Sequence, residues 1–400
     1  ADASRTTRPS PGRRPSFGPR WASCEWRRST TAQAAARRVP PHCATPSLLW
    51  NVGERSSSLV QLALVWNAAE PGEVPCAEAL AARLLRAGGP PRWHSVWAHF
   101  RGQGGDSGAI FAPSVGPSAG CAGGPWRLLH GPACVGERIH GLPFRFGPSA
   151  FRQPNLDMFE VLVRDMRAAF RQHLAQQPGA RPPRILELCG GVGVLGLSLA
   201  AEAAAAGRAA SLLSADVHSG CQDDFDANAR AVLSGMGPGA AGEASAAVGT
   251  ARFVVAEMAD AAAWADEGAG FDVVVADPPR KGLSPQVTQR IAAAPTVRLI
   301  LYVSCGQPAF CADAERLFAG GFRLARLRSY DSFAGTGHAE ILGVFVRVSA
   351  VGHWRRASVG STNKTRAQLL EGGGADGVIE LRPPLQTLAS EATESWTRGC

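Results

Sequence analysis

Four places in this chain of 400 residues combine reactive or ligand-binding side chains with a spacing that could do chemistry. In Leu299-Ile-Leu-Tyr-Val-Ser304-Cys305-Gly306 an apolar run ends on a cysteine. A thiol at the end of a buried strand, beside a cleft, is a candidate nucleophile where its thiolate is favoured, and otherwise a small buried hydrophobe. Asp331-Ser-Phe-Ala-Gly-Thr-Gly-His338-Ala-Glu340 sets three acid–base groups just before another apolar run. Such a loop either projects a general base or remains a solvated charged segment. Phe271-Asp-Val-Val-Val-Ala-Asp277-Pro-Pro-Arg280-Lys281-Gly282 delivers Asp277 to a strand end, with two prolines stiffening the exit and two cations suited to a phosphate. The fourth is Glu187-Leu-Cys189-Gly190-Gly191-Val-Gly193, a glycine-rich turn followed by Asp216 at the end of the next apolar run.

Glycines at such a turn let the backbone approach a ligand at a helix N-terminus, and an acid ending the following strand accepts hydrogen bonds from both ribose hydroxyls. That combination predicts a nucleoside-type cofactor, against the plain alternative of a glycine turn with no ligand. The third glycine of the dinucleotide fingerprint is missing from its usual place, which favours S-adenosylmethionine over NAD. Cys189 lies inside the turn; the cysteines other than Cys189 and Cys305 read as buried small residues.

The elements that must position these groups alternate. Apolar runs at 184–188, 211–216, 252–256, 271–276, 297–304, 322–330 and 341–348 read as strands. Helical patterns fill 194–206, 219–234, 284–294 and 307–319, with a short one near 258–266, while the last two strands follow each other through a loop. Ahead of them, Asn155 caps a helix whose apolar residues Phe159, Leu162, Val163, Met166, Phe170 and Leu174 recur at helical spacing. Strands alternating with helices predict a parallel sheet covered on both faces, and the final pair predicts an antiparallel hairpin at one edge. Residues 46–146 hold short extended runs, Ser58–Trp66, Trp93–Phe100, Trp126–Leu129 and Leu142–Phe146, separated by Gly- and Pro-rich turns, and read as a small β-rich domain.

Composition removes several classes. There is no apolar run of transmembrane length, no repeat, and no Cys-x-x-Cys pair among the 10 cysteines, so no membrane span and no metal site is expected, and the thiols are read as free in a reducing compartment. The formal charge of +8 suggests nucleic acid, but its location matters. Residues 1–44 hold nine Arg against Asp2 and Glu25, residues 349–400 are nearly balanced, and 45–348 hold 26 basic and 26 acidic residues. Binding of a polyanion by the central region therefore rests on local cations such as Arg280 and Lys281 rather than on a global field. The Arg-, Ser- and Ala-rich leader, 1–45, fits an organelle transit peptide, placing the protein in a plastid or mitochondrion, or else an unstructured extension in a protein of the cytoplasm or nucleus. Residues 349–400 read as a disordered tail.

Together the motifs resemble the RNA 5-methyluridine methyltransferases, which methylate carbon 5 of uracil in tRNA or rRNA. The resemblance runs from about Leu129 to Val348. It rests on the ordered set Phe151-x-Gln153-x-Asn155, the glycine turn, Asp216 with Asn228, Asp277-Pro-Pro-Arg-Lys-Gly, Tyr302-Val-Ser-Cys305 and Phe333-x-x-Thr336-x-His338-x-Glu340. It implies a Rossmann-like class I methyltransferase domain with a seven-stranded sheet at 147–348, preceded by the small α+β domain at 46–146. It also implies a monomer acting on RNA. S-adenosylmethionine would be held by Gln153, Glu187, Cys189, Gly191, Gly193 and Asp216, with Asp277 at the junction of cofactor and uracil. Cys305 would be the nucleophile and Glu340 the general base. The chain departs from the family at Gly306-Gln307, where Asn-Pro is usual. It departs again at Cys189, Gly190 and Val194, where an aromatic, a Cys and Asn or Thr are usual. The amino-terminal RNA-binding barrel and the iron–sulfur cysteines of some members are not recognisable. Two alternatives stay open: a catalytically impaired paralogue that binds RNA or protein, and a class I methyltransferase with another acceptor.

Overall fold

The computed structural model describes residues 47–52, 59–66, 74–88, 93–100, 126–177, 181–234, 249–261, 270–348 apart from 334 and 337, and 379–381. The leader expected at 1–45 lies outside them, as does most of the tail expected at 349–400.

Strands β1 (Ser47–Val52), β2 (Val60–Trp66), β3 (Trp93–Phe100) and β4 (Trp126–His130) form one sheet in that order. Between β2 and β3 runs helix α1 (Val74–Gly88), which the sequence reading did not place. A helical crossover makes β2 and β3 parallel, whereas β1 and β4 pair antiparallel. Leu62, Leu64, Val96, Ala98 and Phe100 bury one face of this sheet against Ala77, Leu80, Ala81 and Leu84 of α1. Cys76 on α1 is disulfide-bonded to a partner outside the described residues, so the expectation of free thiols fails there. Cys134, Cys189, Cys221, Cys305 and Cys311 are free.

A hairpin of β5 (Val135–Ile139) and β6 (Leu142–Phe146) follows, and then α2 (Leu156–Ala175), capped by the Asn155 side chain accepting from the Met158 amide as its sequence predicts. Beyond it come β7 (Arg184–Leu188), α3 (Val194–Ala205), β8 (Ala210–Asp216), α4 (Gln222–Leu233), β9 (Gly249–Val255) and β10 (Val273–Ala276). The chain continues through α5 (Pro285–Ala293), β11 (Leu299–Ser304), α6 (Gln307–Ala319), β12 (Phe322–Tyr330) and β13 (Glu340–Arg347). The helix expected near 258–266 is a single 3-10 turn at Met258–Ala261 within the described residues.

Counted from β7, the strands lie in the order third, second, first, fourth, fifth, seventh, sixth, parallel except for β13, which runs against its neighbours. This is the class I methyltransferase sheet. A short eighth strand, β14 (Ile379–Leu381), extends the edge beside β12, where only a tail was expected. The central strands are apolar on both faces because both are covered. Ile185, Val273, Val275, Leu299, Leu301 and Val303 join one core with α2, α3 and α4. Leu186, Val274, Ala276, Ile300 and Tyr302 join the other with α5 and α6. Ile139, Phe144 and Phe146 of the hairpin belong to the first core, and Arg145 Nε donates to Asp224 of α4 at 2.9 Å. Connections leave β7 and β10 on opposite faces, so a crevice opens between them at the carboxyl ends of the strands.

Candidate active site

Register sets the site. Leu188 lies opposite Ala215 and Ala276, Ala276 opposite Tyr302, Ser304 opposite Ile341, and Tyr330 opposite Glu340. The residues at or just beyond these pairs, Asp216, Cys189, Asp277, Cys305 and Glu340, therefore share the carboxyl edge of the sheet. Two backbone bonds hold the row together: the Gly190 amide donates to the Ala215 carbonyl at 3.1 Å, and the Asp277 amide to the Leu188 carbonyl at 3.2 Å.

The glycine turn has left-handed backbone at Cys189 (φ 56°), Gly191 (φ 53°) and Gly193 (φ 84°). Gly193 is required twice over, because a β-carbon there would also stand 2.6 Å from the Phe225 ring. Cys189 adopts the same backbone region with a side chain, a strain on the order of 1 kcal/mol. Its sulfur sits 3.3 Å from Met258 Sδ, and burial, followed by the charges of Asp216 and Asp277, pushes the thiol far up. Cys189 is thus a neutral wall of the crevice. Asp216 accepts from the Gly191 amide at 2.9 Å and from the His218 amide at 2.8 Å, one bond to each oxygen, which clasps the turn to the end of β8.

Glu187 is buried beneath the turn, its Oε1 accepting from the Gly196 amide at 2.7 Å in the first turn of α3. Burial holds its carboxyl up at about 7. Its contacts support the turn from behind. Gln153 is buried, two residues before the cap of α2.

The residues suit S-adenosylmethionine on two observations. A β-carbon built on Gly191 meets nothing within 4 Å, so the turn backbone faces open space at the N-terminus of α3. Beside it, Asp216 is a carboxylate already oriented by two amides, with lone pairs left for hydroxyl donors.

At the other end of the row, Cys305 is half-buried. Its thiol is pushed up by burial and by Glu340 and Asp277, and drawn down by a hydrogen bond from its own backbone amide and then by Arg280. Glu340 is buried, its Oε2 has no hydrogen-bond partner, and burial lifts its carboxyl to about 7 against the pull of Arg280. Asp277 is lifted to about 8 by burial and then by Glu340, Glu187 and Asp216. Of the three acid–base groups in the loop before β13, only Glu340 turns inward; Asp331 and His338 are exposed. Within the loop a turn forms, in which the Thr336 amide and hydroxyl both donate to the Phe333 carbonyl and the His338 amide donates to Thr336 Oγ1.

The sequence singles out Arg280 as a phosphate ligand and does not show that its charge acts on Cys305 and Glu340. It also misses Met258, which no motif marks. Among the described residues, no group of His, Cys, Asp and Glu could hold a metal, and no helix is long and apolar enough to cross a membrane.

No family model matches the chain. It is 27% identical over 298 residues to an uncharacterized RNA methyltransferase of Protochlamydia amoebophila, covering 74% of this chain and 67% of the relative. It is 28% identical over 222 residues to the 23S rRNA (uracil(1939)-C(5))-methyltransferase RlmD of Aeromonas hydrophila, covering 55% and 43%. The same enzyme of Aeromonas salmonicida is 29% identical over 210 residues, covering 52% and 41%. The chain spans about two thirds of the first relative's length and less than half of the other two.

Proposed function

We propose that this chain is an S-adenosylmethionine-dependent RNA methyltransferase acting on carbon 5 of uridine. The observation that carries the reading is that Cys305 and Glu340 each stand one residue beyond the Ser304–Ile341 pair that ends the β11–β13 ladder, at the carboxyl edge that also bears the glycine turn and Asp216. The similarity to enzymes named for uracil carbon 5 supports the same chemistry.

Carbon 5 of uracil is a poor nucleophile until a thiolate adds to carbon 6 and creates an enolate. Cys305 is the group that adds: its Sγ–C6 bond forms as the C5–C6 π electrons move toward O4. Arg280 is the cation that favours this thiolate, opposing the two carboxyls that disfavour it. S-adenosylmethionine, held by the turn and Asp216, supplies the electrophilic methyl group. Once carbon 5 carries that group, Glu340 removes the C5 proton, the C5–C6 double bond reforms, and Cys305 leaves as thiolate. A carboxyl lifted to about 7 is matched to this work, since it can both take the proton and release it near neutrality. The target must be swung out of any stack, and a uridine in an RNA loop makes that least costly. Arg280 and Lys281, both exposed, are placed for the flanking phosphates.

Incubation with RNA bearing 5-fluorouridine, which has no C5 proton to lose, tests the reading. A covalent protein–RNA adduct that disappears in Cys305→Ala is expected. Methyl transfer to ordinary RNA that survives Cys305→Ala would refute it in favour of another acceptor. Absence of S-adenosylhomocysteine binding by calorimetry would favour the non-catalytic paralogue.

A further inference from the structure

The loop that carries Arg280 is held from below by a residue outside every motif. Pro279 and Gly282 close a turn, the Gly282 amide donating to the Pro279 carbonyl at 2.8 Å, with Arg280 and Lys281 at its tip. Immediately after it, the Leu283 amide donates to Asp313 Oδ2 at 2.8 Å. The same oxygen accepts from Tyr302 Oη of β11 at 2.6 Å, and Oδ1 accepts from Thr288 of α5 at 3.3 Å and from Arg316 at 2.8 Å. Asp313 is 1% exposed. It sits on α6, the helix that begins two residues after Cys305, so the element leaving the nucleophile turn also grips the neighbouring loop. The two loops touch directly as well. A β-carbon on Gly306 would lie 2.4 Å from the Arg280 carbonyl oxygen and 3.1 Å from its Cα.

We infer that Asp313 is a positioning residue for the Cys305–Glu340 pair: by tying loop 277–283 to β11 and α6, it keeps Arg280 against the nucleophile turn. A carboxylate has two oxygens with about four lone-pair sites, so a single one can tie several elements together. This one collects donors from the loop, from β11, from α5 and from its own helix, and three of the four lie on elements that frame Arg280 and Cys305. The role assigned to Arg280 rests on the reading of Cys305 as nucleophile, but the geometry can be tested without RNA.

The test is the pH profile of Cys305 alkylation by iodoacetamide, followed by mass spectrometry of the Cys305 peptide in the full chain. Arg280→Gln and Asp313→Asn should both raise the midpoint by at least about half a pH unit, roughly a threefold loss of reactivity at fixed pH. Tyr302→Phe, which removes one of the four donors and leaves the Leu283 bond, should move it less and in the same direction. S-adenosylhomocysteine affinity by calorimetry should stay within about twofold in all three, because the turn and Asp216 are untouched. An Asp313→Asn midpoint equal to the unmodified chain's would overturn the inference, as would an Arg280→Gln midpoint that does not move. Should Asp313→Asn fail to fold, an unmoved profile in folded Tyr302→Phe overturns it instead. Failure of the methyltransferase reading is separate, since it appears as loss of the 5-fluorouridine adduct in the unmodified chain and not in the alkylation profile.

Discussion

Gly306 and Arg280 interlock: the space a side chain would occupy on Gly306 is filled by the Arg280 backbone, whose carbonyl oxygen stands 2.4 Å from the β-carbon position. The position after the nucleophile, where Asn is usual in the family the motifs resemble, therefore has no room for a side chain here. Gly306→Asn, which restores the residue common in similar enzymes, should impair this chain rather than improve it. Overpacking against backbone should lower stability by about 1–3 kcal/mol and displace Arg280. Adduct formation with 5-fluorouridine RNA should slow by about tenfold or more, against thermal unfolding as the control for folding. A faster variant would show that the loop tolerates the side chain.

Glu340→Gln separates the two halves of the reaction. Addition by Cys305 does not need the carboxylate, whereas release does. The variant should accumulate a covalent adduct on ordinary uridine RNA that the unmodified chain turns over, visible as a shifted band on a denaturing gel. In the unmodified chain, the release rate should rise as pH increases through about 7, because the base works only when ionised. A release rate flat between pH 6 and 8 would exclude Glu340 as the base.

Three carboxyls, the buried Glu187 at about 7 and Glu340 at about 7 and the half-buried Asp277 at about 8, lie above their unfolded values. A raised folded pKa contributes stability that is fully present below the unfolded pKa and is lost as pH rises through the folded one. The free protein should therefore lose stability between about pH 4 and 8, at up to about 1.4 kcal/mol per pH unit for each such group. Melting temperature measured at pH 6 should exceed that at pH 8.5, and Asp277→Asn should flatten the difference. The opposite slope, with pH 8.5 the more stable, would contradict the burial of these groups.

Asp216→Ala removes the acceptor of the Gly191 and His218 amides together. Loss of two charge-assisted bonds that shape the turn should weaken S-adenosylhomocysteine binding by about 10- to 100-fold in calorimetry. RNA affinity measured without cofactor should not change.

Lys281 is the one lysine in residues 45–348 and is exposed at the tip of the Pro279–Gly282 turn. Lys281→Ala should reduce RNA affinity and lower the slope of log affinity against log salt by about 1, the signature of one lost phosphate contact. An unchanged slope would place the RNA backbone elsewhere.

Sequence by itself determined the frame of this protein. Val273–Ala276 is apolar throughout and Leu299–Ser304 nearly so, which marks them as central strands covered on both faces. Asn155 marked the start of α2, and the glycine run marked the turn into α3, because caps and left-handed turns depend on residues a few positions apart. Helix α1 escaped the same reading, since its short Ala-rich pattern lies between runs that resemble a strand meander. Tertiary structure alone decided which groups meet. Nothing local distinguishes Glu340 from Asp331 or His338 as the one turned inward, and nothing local sets Glu187 beneath the turn while Asp216 flanks it. The hydrogen bond from Leu283 to Asp313 spans 30 positions, and the bonds from the Arg145 and Gly147 region to Asp224 span about 80. The physical reason is that periodicity reports the solvent exposure of a face, which neighbours in the chain dictate. The ionisation and orientation of a polar side chain depend instead on which distant backbone and charges close over it.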